Sequence, residues 1–82
     1  MTEEEFYREF DNEDTKWEGD NCYKGLLIIA KYTDNIIHGA CHDQVWSESI
    51  EVLIQNGITI EHTRALRLLN WGIEDDSLYC FV

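Results

Sequence analysis

The first ten residues combine acidic and aromatic positions in a pattern typical of a capped amphipathic helix. Thr2 to Glu5 fit a capping box, in which the Thr2 side chain bonds the backbone of Glu5 and the Glu5 carboxylate bonds back. Phe6 and Phe10 are four residues apart, so they share one face of the predicted helix. We expect this helix to end near residues 11–14, with a polar loop around Trp17 after it.

A second helix is predicted where apolar residues recur at spacings of three and four from Tyr23 to Ala30. Asp20 or Asn21 can cap its start, and the turn at residues 33–35 is expected to end it. Gly25 weakens the helix slightly and permits close packing of a neighbour. The broad apolar face of this segment predicts the most buried helix of the chain.

Residues 36–46 alternate in a way that predicts one continuous strand. The alternation places His38, His42 and Trp46 on one face and Cys41 on the other. Gly39, inside this segment, indicates a bulge or a close neighbour.

Two short helices are predicted in the second half of the chain. Ser47 or Ser49 caps the first, which stops at the Asn-Gly pair of residues 56–57. Thr59 caps the second, and Gly72 is expected to stop it.

A final strand is predicted at residues 77–82, after an acidic turn at residues 74–76. The element order is then α-α-β-α-α-β. We therefore predict that residues 1–82 form a single small α+β domain, in which about four short helices pack on a two-stranded antiparallel sheet. A sheet of two strands is marginal alone and needs that helical cover.

Composition supports a folded domain because 44% of the residues are apolar, which acidic disordered tails lack. The three cysteines cannot all pair within one chain, so we expect free, buried thiols. The chain opens without a basic, apolar leader, and its longest apolar run, residues 26–30, is too short to cross a membrane. We expect a cytoplasmic protein with no membrane partner.

The composition is strongly acidic: seventeen Asp and Glu face six Lys and Arg, for a net charge of -11. Residues 1–20 hold nine acids against Arg8 and Lys16, so they carry nine minus two, or seven, of these negative charges. Such a surface repels nucleic acid and attracts cationic grooves. The charge predicts a basic nucleic-acid-binding protein as partner, and no direct contact with nucleic acid.

The candidate partner-binding residues are the clustered acids and one tryptophan among them that can act as an apolar anchor. They are Glu3, Glu4, Glu5, Glu9, Asp11, Glu13, Asp14, Trp17, Glu74, Asp75 and Asp76. The alternative for each cluster is purely structural: residues 3–5 as a helix start, and residues 74–76 as a solvated turn. Phosphate-binding loops and hydrolase motifs are absent from the sequence, so we expect no catalytic residues and no cofactor.

Two other sites are left open by the sequence. His38, Cys41 and His42 resemble a run of metal ligands, although zinc needs about four in a tetrahedron. Residues 49–71 faintly resemble a helix-turn-helix regulator, whose basic stripe would come from the second helix. The members of that stripe are His62, Arg64, Arg67 and Asn70. Its arginines can instead pair with Glu61 or with the N-terminal acids.

In size, acidity, aromatic content and lack of catalytic motifs, the chain resembles the small phage-encoded inhibitors of bacterial defence, including anti-CRISPR proteins and other nucleic-acid mimics. The acids between Thr2 and Asp20 and the turn at residues 74–76 carry the resemblance. It implies that carboxylates occupy the Arg/Lys groove of a host nuclease or CRISPR surveillance complex. Immunity proteins against nuclease toxins share this logic and stay an alternative. The oligomeric state is open, and a dimer is one alternative.

Overall fold

The structure is a computed structural model that describes residues 1–11 and 20–81. Over these ranges the chain forms four helices and four strands. In chain order they are α1 (Glu3–Phe10), α2 (Asn21–Ile29), β1 (Gly39–Cys41), β2 (Gln44–Ser49), α3 (Ile50–Gln55), α4 (Ile60–Leu68), β3 (Gly72–Glu74) and β4 (Ser77–Phe81). The α+β class is as predicted from the sequence.

The strands form an antiparallel sheet in the order β1-β2-β4-β3. It consists of two hairpins, β1–β2 and β3–β4, that pair side by side through their longer strands. Trp46 of β2 lies opposite Tyr79 of β4 at this central junction. The segment containing α3 and α4 connects the hairpins, so the sheet joins distant parts of the chain.

The predicted two-stranded sheet and the predicted element order are wrong. Residues 36–46 do not form one strand, because a turn at residues 42–43 divides this segment and His42 takes a φ of 23° there. Residues 72–74, where the sequence predicted the end of a helix and the start of a turn, form β3. Both missed strands have three residues and start at a glycine, so they are too short to show an alternating pattern.

The predicted N-caps of the two helices in the second half of the chain are confirmed, but the second helix ends at Leu68 and not at Gly72. The Ser49 side chain accepts from the backbone N–H of Val52 at the start of α3, and the Thr59 side chain caps α4 in the same way. Gly57 ends the α3 region with a φ of 87°, a left-handed conformation that favours glycine. At α2, Asp20 occupies the cap position without a side-chain hydrogen bond.

The core lies between the helices and one face of the sheet. Its fully or nearly fully buried apolar residues are Phe6, Cys22, Ile29, Ile50, Leu53, Ile58, Leu66, Trp71, Leu78 and Cys80. The close approach predicted at Gly25 is confirmed, since a Cβ there would lie 2.0 Å from Nε1 of Trp71. The same Nε1 donates a hydrogen bond to the Asn21 carbonyl at 3.2 Å, so α2 packs directly on this ring.

No described helix is long enough to cross a bilayer, and the longest have nine residues.

Candidate functional site

The first turn of α1 is held by the predicted capping box. The Thr2 hydroxyl accepts from the backbone N–H of Glu5 at 3.1 Å, and Oε1 of Glu5 accepts from the Thr2 backbone at 3.0 Å. The backbone hydrogen bond from Thr2, aided by its hydroxyl, lowers the pKa of Glu5. Glu5 therefore caps its own helix, while Glu3 and Glu4 beside it are exposed.

Tyr7 connects α1 to the β3–β4 turn. Its hydroxyl donates a hydrogen bond to the carboxylate of Asp76. This bond, partial burial and the negative charges of Asp76 and Glu3 raise the pKa of Tyr7 to about 12. The two acidic clusters noted in the sequence, at opposite ends of the chain, thus meet at this one contact.

The β3–β4 turn is tight and displays its carboxylates outward. Asp75 and Asp76 are its two central residues, with φ values of 51° and 62°, as in the two-residue turns that suit hairpin twist. Both side chains are exposed, and so is Glu74 before them. We call the exposed carboxylates around the Tyr7–Asp76 contact the acidic patch. Its members are Glu3, Glu4, Glu74, Asp75 and Asp76.

Glu9 lies on the side of α1 away from Tyr7, and its carboxylate forms an ion pair within the protein. Arg64 of α4 donates to both of its carboxylate oxygens, from Nε at 3.1 Å and from a terminal nitrogen at 3.3 Å. This hydrogen bonding, with the charges of Arg64 and Arg67, lowers the pKa of Glu9 although burial opposes the shift. The pairing of an α4 arginine with an N-terminal acid, one of the sequence alternatives, is therefore observed.

The remaining predicted partner-binding residues fall into two groups. Asp11 is exposed at the C-terminal end of α1, where a carboxylate faces the negative end of the helix dipole. Glu13, Asp14 and Trp17 lie outside the described residues.

Three of the four residues in the basic stripe predicted for a helix-turn-helix regulator are paired or buried within the protein. Arg64 binds Glu9, and Arg67 is buried, with only 5% of its surface exposed. The ring nitrogen of His62 forms a hydrogen bond with the Tyr32 hydroxyl. Because Arg64 is paired and Arg67 is buried, α4 presents little positive charge that could bind phosphates.

The histidine and cysteine run does not gather into a metal site. His38 precedes β1, Cys41 ends it, and His42 lies in the turn that follows. Within residues 1–11 and 20–81, no group of three or more His, Cys, Asp or Glu side chains is arranged to hold a metal ion. Nε2 of His38 instead donates to the Asn35 carbonyl at 3.0 Å.

The cysteines follow the sequence expectation in part. Cys22 and Cys80 are buried free thiols, whereas Cys41 is exposed, contrary to the prediction that all three are buried. Cys41 sits at the end of a short edge strand that the sequence pattern did not separate from β2. Burial and the neighbouring Cys22 raise the pKa of Cys80 to about 12, which opposes formation of a reactive thiolate.

One charged site has no counterpart in the sequence analysis: a buried carboxylate on β2. Glu48 is 5% exposed, and it lies where the pairing of β2 with β4 shifts register between Trp46 and Ser49. Its oxygens accept from the Ser49 backbone at 2.8 Å and the Thr33 hydroxyl at 2.9 Å, and lie 3.4 Å from Nε2 of His38. Burial opposes ionisation, but these contacts outweigh it and lower the pKa of Glu48. No sequence motif predicts this site.

Comparisons of the chain with protein-family models, curated proteins and solved structures give no match.

Proposed function

We propose that this chain is a non-catalytic binding protein that inhibits a basic nucleic-acid-handling protein of a bacterial host, such as a nuclease or a CRISPR surveillance complex. The acidic patch would occupy the groove that normally binds phosphates. The observation that carries the proposal is the contact of Tyr7 with Asp76, which joins acids from both ends of the chain. The proposed setting is the bacterial cytoplasm, with no cofactor and no membrane contact.

Electrostatics explains how such a patch would act. Carboxylates on a fixed scaffold present negative charge at a spacing set by the fold, as phosphates do on a nucleic acid backbone. Because the chain carries a net charge of -11, its field would steer it toward a cationic groove before contact. Long-range steering raises the association rate and is screened by salt.

The internal pairing of the cations adds to this proposal. Arg64 is paired with Glu9, and the exposed Arg8 lies 3.2 Å from the exposed Glu4. Surface pairs of this kind are weak, so Glu4 can exchange its partner for an arginine of another protein. A patch of this composition would suit a protein groove and would be repelled by nucleic acid itself.

The experiment is a capture from bacterial lysate at low salt with the immobilised full chain. The patch variant combines Glu3→Gln, Glu4→Gln and Asp75→Asn, which avoid the capping box and the Tyr7 hydrogen bond. The charge-matched control combines Asp34→Asn, Glu51→Gln and Glu61→Gln, which are exposed acids outside the patch.

We expect the wild type and the control, but not the patch variant, to retain a nucleic-acid-binding protein. Duplex DNA should release it from the immobilised chain. Equal recovery on all three proteins, or retention unaffected by DNA, would contradict the proposed function.

A further inference from the structure

The sheet has a second face, directed away from the core. Along β4, Leu78 and Cys80 are fully buried beneath the helices, while Ser77, Tyr79 and Phe81 alternate with them. Phe81 is 46% exposed, and Tyr79 is half-buried. The outward residues of β4 thus place aromatic side chains at the surface of the protein.

Glycines on the edge strands let these rings lie along the sheet. Tyr79 is paired with Gly72, and a Cβ at position 72 would lie 2.6 Å from the tyrosine ring, so the ring leans across the glycine. On the other side, Trp46 is paired with Gly39, with 3.7 Å between the ring and a Cβ placed there. Tyr79 and Trp46 are both half-buried, so part of each side chain stays accessible to solvent.

Phe81 lies next to Tyr79 on this surface. Its ring centroid is 5.4 Å from that of Tyr79, and the two planes are 82° apart. Tyr79 and Phe81 therefore form a corner of two perpendicular rings, beside Trp46 on the neighbouring strand. We call Trp46, Tyr79 and Phe81 the aromatic face.

The strands and hairpin turns around the aromatic face carry negative charge. The four strands contain no Lys or Arg, and the two hairpin turns carry Asp43, Asp75 and Asp76. Oε2 of Glu74 accepts a hydrogen bond from the Gln44 side chain at 3.2 Å, which places a carboxylate among the outward residues of the sheet. Glu74 also belongs to the acidic patch, so the two surfaces are continuous. A cation that meets these rings must come from outside the sheet.

We propose that the aromatic face is a docking surface for arginine side chains of the basic protein partner. This inference rests on the proposed function for the identity of that partner. A guanidinium is planar and weakly hydrated, so it stacks on aromatic rings while it pairs with a carboxylate such as Glu74. Nucleic acid bases also stack on aromatic rings, but they would bring phosphates to a sheet without a single cation.

The test compares two peptides of equal charge, hexa-arginine and hexa-lysine, by calorimetric titration of the full chain at low salt. The acidic patch alone attracts both, whereas stacking on the rings favours guanidinium. We expect the wild type to bind hexa-arginine about two- to five-fold more tightly. Tyr79→Leu should abolish this preference. Tyr23→Leu, which removes an exposed tyrosine from α2, should keep it.

Phe81→Leu is a second variant in case Tyr79→Leu does not fold, which circular dichroism would reveal. It should reduce the preference as well. Equal affinity of the wild type for both peptides, or an unchanged preference in folded Tyr79→Leu and Phe81→Leu, would overturn the inference. Binding of a single-stranded oligonucleotide that these two variants abolish would also overturn it.

The patch variant separates this inference from the proposed function. If it weakens both peptides equally and keeps the preference for arginine, the two surfaces act as described. If the patch variant fails to alter capture from lysate while the preference persists, the proposed function is wrong and the aromatic face still binds arginine.

Discussion

At the residue scale, one hydrogen bond links the two acidic clusters. Tyr7 donates to Asp76, and this bond connects α1 to the β3–β4 turn. The sequence identified both clusters, but no local pattern pairs residue 7 with residue 76. Such contacts depend on the packing of the whole chain, so they are the part of the site that the sequence could not predict.

Replacing Tyr7 with phenylalanine tests this hydrogen bond. We expect Tyr7→Phe to lower the free energy of unfolding by about 1 kcal/mol at pH 7. The pKa of Tyr7 is raised from 10.0 to about 12, so the bond stabilises the protein fully below pH 10 and is lost between pH 10 and 12.

Urea unfolding across this pH range measures the difference between wild type and variant. The difference in the free energy of unfolding between the two proteins should shrink as the pH rises from 10 to 12. Tyr23→Phe, at a tyrosine that is 63% exposed, serves as the control and should change little. A Tyr7→Phe variant as stable as the wild type at pH 7 would show that the contact does not hold α1 to the turn.

Glu48 gives a prediction for the acid side of the pH range. Its pKa is lowered in the folded protein, so its stabilisation is complete above the ordinary value of 4.5 and is lost as the pH falls below it. Glu48→Gln should cost about 1–3 kcal/mol at pH 7, because its buried hydrogen bonds are weakened. The variant should also lose less stability than the wild type on further acidification.

Chemical unfolding at pH 7 and at several values below 4.5 would measure both effects. Glu51→Gln, at an exposed glutamate on α3, is the matched control. Parallel acid profiles for the wild type and Glu48→Gln would exclude a role for this carboxylate.

At the element scale, the sequence predicted the starts of helices well and short strands poorly. Capping residues such as Thr2, Ser49 and Thr59 act within one helical turn, so their effect can be predicted from neighbouring residues alone. β1 and β3 have three residues each, and they owe their pairing to β2 and β4. The acidic turn at residues 74–76 was recognised, but the hairpin it closes was not.

Gly25 tests the packing of one element on another. A methyl group at this position would enter the Trp71 ring, so Gly25→Ala should destabilise the protein by about 1–3 kcal/mol from overpacking. An exposed helical site would instead gain about 1 kcal/mol from the same change. Thermal or urea unfolding measures the sign directly.

A double-mutant cycle with Trp71→Phe provides the control. The smaller ring should relieve the clash, so Gly25→Ala should cost less in that background. If alanine stabilises the wild-type chain, the close packing of α2 on Trp71 is incorrect.

At the scale of the whole molecule, the sign and size of the charge were evident from the sequence, but its distribution was not. Glu9 appeared equivalent to Glu3 and Glu4, yet it is bound to Arg64 and has a side chain only 20% exposed. The aromatic face also escaped prediction, because Tyr79 and Trp46 become neighbours only when the two hairpins pair.

The net charge of -11 predicts that salt stabilises the fold. Repulsion among the exposed carboxylates destabilises the compact state, and added ions screen it. We expect the melting temperature to rise between roughly 0.02 M and roughly 0.5 M NaCl. The patch variant, with three fewer charges, should show a smaller rise. A melting temperature that does not change with salt concentration would argue against net repulsion.

Competition for the captured partner tests most directly whether the acidic patch takes the place of phosphates. Fluorescence anisotropy of labelled duplex DNA bound to that partner would be followed as the full chain is added. We expect the wild type and the charge-matched control to displace the DNA, and the patch variant to do so far more weakly. A partner that holds DNA and this chain at the same time would contradict the claim that the acidic patch takes the place of phosphates.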